Sequence, residues 1–187
     1  MSYNIDLSKL LKEQYNLDKA IQDNHHISYG ETVEERKLAL LVELGEFANT
    51  TRSFKFWSNK GLDSKERILD EAADCLHFYL SLFITNLYKI YGEANLTKCF
   101  SLSGMMNEPY KASKKEITSL FIGAIKKASN ENANINDIIK DSFNSYEECS
   151  FDYYLNIIAG LGYSWQDLEE AYYKKLGVNY QRQENNY

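Results

Sequence analysis

A single proline, nine glycines and three cysteines in 187 residues remove several architectures from consideration. With Pro109 as the sole proline, long stretches carry no chain breaker, which favours helices over turn-rich sheet folds. Cys75, Cys99 and Cys149 are odd in number and far apart. No CxxC pair points to zinc and no spacing points to a disulfide framework, so a reducing cytoplasm is the expected location. The most apolar segment, residues 76–87, is too short for a bilayer, and MSYNIDLSKL lacks the apolar stretch of a signal peptide. A soluble chain with no membrane partner is expected. A basic surplus is missing too. The net charge of −6 argues against duplex nucleic acid as a partner, because phosphate contacts need a cationic surface. It leaves a nucleotide open, since metal ions neutralise phosphates.

What is present is helical periodicity. Apolar residues make up 44% of the chain, enough for one domain with a sizeable core. Leu7, Leu10, Leu11, Leu17 and Ile21 predict a first helix over residues 7–24. A second helix, capped by Thr32 with Glu35 completing a capping box, runs to about residue 53. Asp63 or Ser64 caps a third, long helix ending near Gly92. Residues 95–102 read as a short helix and SGMMNEPYKA as a loop around Pro109. Ser113 with Glu116 opens a helix to about residue 130, and Asn136 or Asp137 opens another to about residue 144. Residues 147–161 form a further helix that stops at Gly160 and Gly162. Ser164, with Asp167 at its third position, caps the last, WQDLEEAYYKKLGVNYQRQ. No strand alternation, internal repeat or low-complexity tract is visible. The expectation is an all-α helical bundle, one domain over residues 1–187 with a helical insert at about 93–150.

Four acids sit where core is expected. LLVELGEFAN carries Glu43 and Glu46, and DEAADCLHFYLSLF carries Glu71 and Asp74. Residues three apart share one helix face, so each pair projects together. Leu40, Leu44 and Phe47 flank the first pair, and Ala72, Cys75, Leu76 and Phe78 the second, so both pairs border the core. On antiparallel helices the four carboxylates converge on one volume. Unpaired, each buried charge costs several kcal/mol, which hard divalent cations such as Mg²⁺ or Mn²⁺ offset. Spacing alone leaves a second reading open, in which the acids are solvated or pair with Arg36, Lys37, Arg52, Lys65 and Arg67. Di-iron bundles are a third, since they use glutamates with an ExxH on facing helices. Asp74 with His77 and Asp23 with His26 have D-x-x-H spacing, but neither supplies the glutamate, and the second falls at a helix end.

ALLVELGEFANTTRSFKFW followed by DEAADCLHFYLSLF resembles the dimeric dUTPases of the all-α nucleotide pyrophosphatase superfamily. Their ExxE…ExxD motif stands here as Glu43, Glu46, Glu71 and Asp74. EQYNLDKAI is similar to the family's first-helix pattern QxxLDxxI, and AYYKKLGVNYQRQENNY to its phosphate-contacting segment. The resemblance covers both ends and the first half of the chain; residues 93–150 match nothing in it.

The resemblance implies Mg²⁺-dependent hydrolysis of dUTP, with dUDP as a further substrate, to dUMP and pyrophosphate by a homodimer. Two or more ions, with Mn²⁺ as a substitute, would bind Glu43, Glu46, Glu71 and Asp74, and Glu46 or Glu43 would take the proton of the attacking water. Gln14 and Asp18 would read the pyrimidine edge, and Lys175, Asn179, Arg182 and Tyr187 would grip the phosphates. Lys55, Trp57 and His77 also match family positions: Lys55 as a phosphate contact or a surface charge, Trp57 as a packing or stacking aromatic, and His77 as a hydrogen-bonded core histidine or a group steadying a ligand. Spacing supports part of this independently, because Lys175, Asn179 and Arg182 recur at intervals of four and three on one helix face. Two positions depart from the family: Leu176 replaces an asparagine, and Asn186 a glycine before the last tyrosine. A dCTP or MazG-type pyrophosphatase is the nearest alternative, and a non-catalytic helical interaction module the more distant one.

Overall fold

The computed structural model describes residues 1–96, 98, 100, 103–130 and 148–185. A strand β1 (Ser2–Asp6) leads into helices α1 (Ser8–His25), α2 (Val33–Thr51) and α3 (Lys65–Tyr91). A short α4 (Glu93–Leu96), a strand β2 (Ser103–Asn107), α5 (Lys114–Ala128), α6 (Ser150–Gly160) and α7 (Trp165–Glu184) follow. Helix dominates, so the all-α bundle expected from the sequence is the fold observed.

Apolar spacing explains the long helices. On α1 the buried residues are Leu10, Leu11, Gln14, Leu17 and Asp18, a single stripe. On α2 the stripe holds Leu40, Leu44, Phe47, Ala48 and Thr51. Helix α3 is buried along most of its circumference, as a central helix must be, and packs against α1, α2 and α7. Ser64 caps α3 by accepting from the Arg67 N–H. Reciprocal capping boxes open α5 at Ser113 and Glu116 and α7 at Ser164 and Asp167.

The connection between the two acid-bearing helices is fixed at both ends. Arg52 leaves α2 with φ 52°, and its guanidinium donates to Asp63 Oδ1 at 2.7 Å. Asp63 N–H donates back to the Thr50 carbonyl at 3.0 Å. α2 and α3 are thereby clasped as a pair. Buried tyrosines tie α6 to the same centre: Tyr154 O–H donates to the Ala72 carbonyl at 2.8 Å, and Tyr79 bonds the Ser150 hydroxyl at 2.7 Å.

Three local expectations differ from the fold. β1 and β2 form an antiparallel ribbon, with Ser2 opposite Asn107 and Asp6 opposite Ser103, where no strand was expected and residues 103–107 read as loop. Each strand fully buries one residue, Ile5 or Met106, so neither carries the alternation that marks a strand in sequence. The Thr32–Glu35 capping box is not made. Thr32 sits at φ −117° and ψ 25°, outside the extended conformation from which a cap oxygen reaches the first-turn N–H groups. Its carbonyl accepts from Arg36 Nε instead. Of the short helix expected over 95–102, residues 95 and 96 belong to α4, which begins earlier, at Glu93, and residues 97, 99, 101 and 102 fall outside the described residues. The helix expected over 136–144 falls outside the described residues.

Candidate active site

Packing α2 against α3 brings Glu43, Glu46 and Glu71 together, each offering a carboxylate oxygen within 4.8 Å of the others. Glu71 is buried, Glu43 half-buried and Glu46 exposed. The crowding has a proton cost. Burial, with Asp74, Glu46 and Glu71 nearby, pushes the Glu43 carboxyl up to about 7. Burial also raises Glu71 and Asp74 above the ordinary carboxylate range. A cluster of hard oxygen donors fits an Mg²⁺- or Mn²⁺-type ion, and contains no nitrogen or sulfur donor to favour a softer one.

The fourth motif acid, Asp74, stands outside this trio and takes a different partner. Lys175 Nζ on α7 donates to Asp74 Oδ2 at 2.7 Å and to Asp70 Oδ2 at 3.0 Å. Lys175 is 8% exposed, so this lysine neutralises α3 acids from inside the bundle. Glu71 is ion-paired with Arg67 one turn earlier. Two of the four acids therefore carry side-chain cations, which is the pairing alternative realised in part, while Glu43 and Glu46 face each other across the remaining charge.

Beside the acids lies a cavity of about 320 Å³. Glu43, Asp74, Asn179 and Arg182 form one part of its wall. Gln14, Asp18, Arg36, His77 and Ser81 form another, with Leu17, Ile21, Ile27 and Phe78 as apolar lining. The mixture of apolar wall and a few converging polar groups is that of a small-ligand site. Arg182 Nη1 donates to Asn179 Oδ1 at 3.3 Å, so these two reach the wall as a pair.

The polar side of the cavity is a connected network. Gln14 Nε2 donates to Asp18 Oδ1 at 2.7 Å, and Tyr29 O–H donates to Asp18 Oδ2 at 2.9 Å. Gln14 Oε1 accepts from Tyr172 O–H at 3.2 Å and lies 2.6 Å from His77 Nδ1. Burial, helped by the Lys175 charge, holds the His77 imidazole down to about 3, so it is neutral. One Gln14 amide hydrogen goes to Asp18, and Oε1 turns to His77, so Nδ1 is the ring nitrogen that meets Gln14. His77 Nε2 has no hydrogen-bond partner. The ring stacks on Tyr172 at 4.3 Å, which fixes its plane.

Of the residues singled out in the sequence, Glu43, Asp74, Gln14, Asp18, His77, Asn179 and Arg182 meet at this cavity. Glu46 joins through the acid trio and also borders a second, apolar groove of about 530 Å³ between α2 and α5. Lys175 reaches the acids. Lys55 and Trp57 are not part of the cavity wall: Lys55 Nζ sits 5.5 Å over the Phe54 ring, and Trp57 is 66% exposed against Phe54 and Phe56. Tyr187 lies outside the described residues.

Tyr29, Arg36, Asp70, Ser81 and Tyr172 belong to the site without having been singled out as site residues. Tyr172 had a signal, since it stands one turn before Lys175 on the same helix. Its phenol anchors Gln14 and the Leu10 carbonyl, at 3.3 Å, from within the core. Tyr172→Phe is expected to raise the KM for a ligand held at Gln14 about fivefold with little change in kcat, the scale of one buried hydrogen bond. Steady-state kinetics checks it.

A family model described as dUTPase matches residues 6–187. No curated protein matches the chain.

Proposed function

The chain belongs to the dUTPase family, matched over nearly its whole length, and from that premise we propose that it hydrolyses dUTP with a divalent cation held at Glu43, Glu46 and Glu71. dUTP hydrolysis is the family's activity. The cation, the residue roles and the use of dUDP are this reading's own. One observation carries it: an oxygen-only acid cluster opens beside a cavity lined by Gln14 and Asp18 in one part and Asn179 and Arg182 in another.

Asp74 completes the ligand set when Lys175 yields it. Mg²⁺, with Mn²⁺ as a substitute, supplies charge neutralisation on the phosphates and a more acidic water. The chain's own groups do the rest. Gln14 and Asp18 hold the base, with His77 steadying Gln14, and Leu17, Ile21 and Phe78 keep water from that part of the cavity. Asn179 and Arg182 face the phosphates, where a guanidinium offers paired donors to phosphate oxygens. Water attacks the α-phosphorus in line while Glu43 or Glu46 accepts its proton, and pyrophosphate leaves. Lys175, once freed from Asp74, adds a cation to the leaving phosphates. Tyr187 acts there by resemblance alone.

The same reading takes residues 1–187 as one domain, with 93–150 as its insert, and the protein as a cytoplasmic homodimer. Leu38, Val42, Phe56, Trp57 and Ile122 are exposed apolar residues that support an interface, and light scattering on the purified protein decides the oligomer. No helix among the described residues is long and apolar enough to cross a membrane.

Pyrophosphate release from dUTP, dCTP, dTTP and UTP in Mg²⁺, Mn²⁺ and EDTA tests the function. The expected result is turnover of dUTP above the others and none in EDTA. Preference for dCTP refutes the base assignment, and full activity in EDTA removes the cation. A parallel assay with dUDP decides the second substrate.

A further inference from the structure

We propose that Arg36 is a positioning residue that fixes the orientation of the Gln14 amide, and through it the choice of uracil over cytosine. The proposal rests on the reading that Gln14 faces the base.

Gln14 presents different chemistry depending on which way its amide lies. In the observed arrangement Oε1 is filled by His77 Nδ1 and Tyr172 O–H, and one hydrogen of Nε2 goes to Asp18. The group left for a ligand is the second amide hydrogen. It suits a carbonyl oxygen, such as the exocyclic O4 of uracil, and opposes the exocyclic amino group that cytosine carries there. With the amide reversed, Oε1 would point at Asp18 and the preference would invert.

Asp18 is what prevents the reversal, provided that it remains an acceptor. An ionised carboxylate has no hydrogen to give, so it must be met by the amide hydrogens of Gln14. A protonated one could donate to Oε1. Burial raises the Asp18 carboxyl above its ordinary value, and hydrogen bonds from the Ser81, Gln14 and Tyr29 side chains, together with the Arg36 charge, are what hold it back as an acceptor.

Two of those donors are themselves held by Arg36. Its Nη1 donates to Ser81 Oγ at 3.0 Å and to Thr85 Oγ1 at 2.7 Å. Because Ser81 Oγ accepts from Arg36, its own hydrogen is left for Asp18. Arg36 Nη2 donates to the Tyr29 carbonyl, and Nε to the Thr32 carbonyl at 3.1 Å. The guanidinium thus anchors the connection between α1 and α2, aims the Tyr29 phenol at Asp18, and leaves a charge beside it. Most of its N–H groups are used on protein acceptors, so Arg36 acts through Asp18 and Gln14 and not by gripping the nucleotide.

The experiment compares dUTP and dCTP hydrolysis by the wild type, Arg36→Met, Arg36→Lys, Ser81→Ala and Gln14→Ala, with a melting curve for each. Arg36→Met is expected to reduce the ratio of kcat/KM for dUTP to that for dCTP about tenfold. The change should lie in KM for dUTP, with kcat at saturation within about threefold of wild type. Arg36→Lys keeps the charge but cannot reach Ser81, Thr85 and Tyr29 together, so it should restore the ratio in part. Ser81→Ala removes the hydroxyl relay with little change in volume, should lower the ratio in the same direction, and decides the matter where Arg36→Met does not fold. An unchanged ratio in Ser81→Ala and in folded Arg36→Met overturns the proposal, as does an equal fall in kcat for both nucleotides. If Gln14→Ala also keeps the wild-type ratio, the base-pocket reading itself has failed; if it loses the ratio, only the role of Arg36 has.

Discussion

Glu71→Ala is expected to lower kcat/KM for dUTP in Mg²⁺ by about three orders of magnitude, equivalent to about 4 kcal/mol of lost transition-state stabilisation. Glu71 belongs to the trio within 4.8 Å and is buried, so neither water nor a neighbouring side chain takes over its oxygen. Stability should move the other way. In EDTA the substitution withdraws one carboxylate from a crowd that pushes the Glu43 proton affinity toward neutrality, at the loss of a pair with a mostly exposed Arg67. The melting temperature of Glu71→Ala in EDTA is therefore expected to equal or exceed that of wild type. Turnover close to wild type removes the acid cluster from the mechanism, whereas loss of activity with marked destabilisation in EDTA gives Glu71 a structural role.

In the cation-free protein Glu43 should withdraw stability as pH rises from about 4.5 to 8, against the opposite contribution of the buried, neutral His77, which is complete by its ordinary value of 6.5. Glu43 holds its proton up to about 7 in the folded chain, against 4.5 as its ordinary value. A group that binds its proton more tightly when folded stabilises the fold fully below its unfolded value, and that contribution is lost as pH rises through the folded one. Glu71 and Asp74 are raised too and act in the same direction. After allowance for solvent screening of a half-buried group, Glu43 accounts for about 1–2 kcal/mol, or roughly 5 °C in melting temperature for a chain of this size. Thermal melts in EDTA across this range check it. Glu43→Gln should remove this contribution, so that its melting temperature gains on wild type as pH rises, and Mg²⁺ should raise the wild-type curve more at pH 8 than at pH 5, since it binds the ionised carboxylates. A parallel slope in Glu43→Gln would assign the effect elsewhere.

Local signals and long-range ones were unequally readable in the sequence. Apolar stripes and cap residues carried the helices: Ser64, Ser113 and Ser164 each accept from an N–H in the first turn of their helix. The acid pairs were legible because three-residue spacing is a property of one helix, and the packing of α2 on α3 needed only the intervening turn. The β1–β2 ribbon was not, because Ile5 and Met106 are single buried positions in otherwise exposed segments. Arg36 could be imagined only as an ion-pair partner, since charge suggests charge, whereas its bonds run to the carbonyls of Tyr29, Thr32 and Ser81 and to the hydroxyls of Ser81 and Thr85. The resemblance assigned Lys175 to phosphate, with its spacing to Asn179 and Arg182 in support. Its attachment to Asp70 and Asp74 depends on how α7 lies over α3, which no spacing within α7 encodes.

The polar network around Gln14 joins residues far apart along the chain: His77 is 63 positions from Gln14, and Tyr172 is 158. The acid trio, by contrast, needs only the α2–α3 hairpin. During synthesis from the N-terminus, the hairpin can close while more than half the chain is still unmade, but Gln14 gains its tyrosine partner only when α7 arrives. Loop closure of that span is slow relative to a hairpin. The growing polypeptide thus brings its acid cluster together well before it completes the buried network around Gln14.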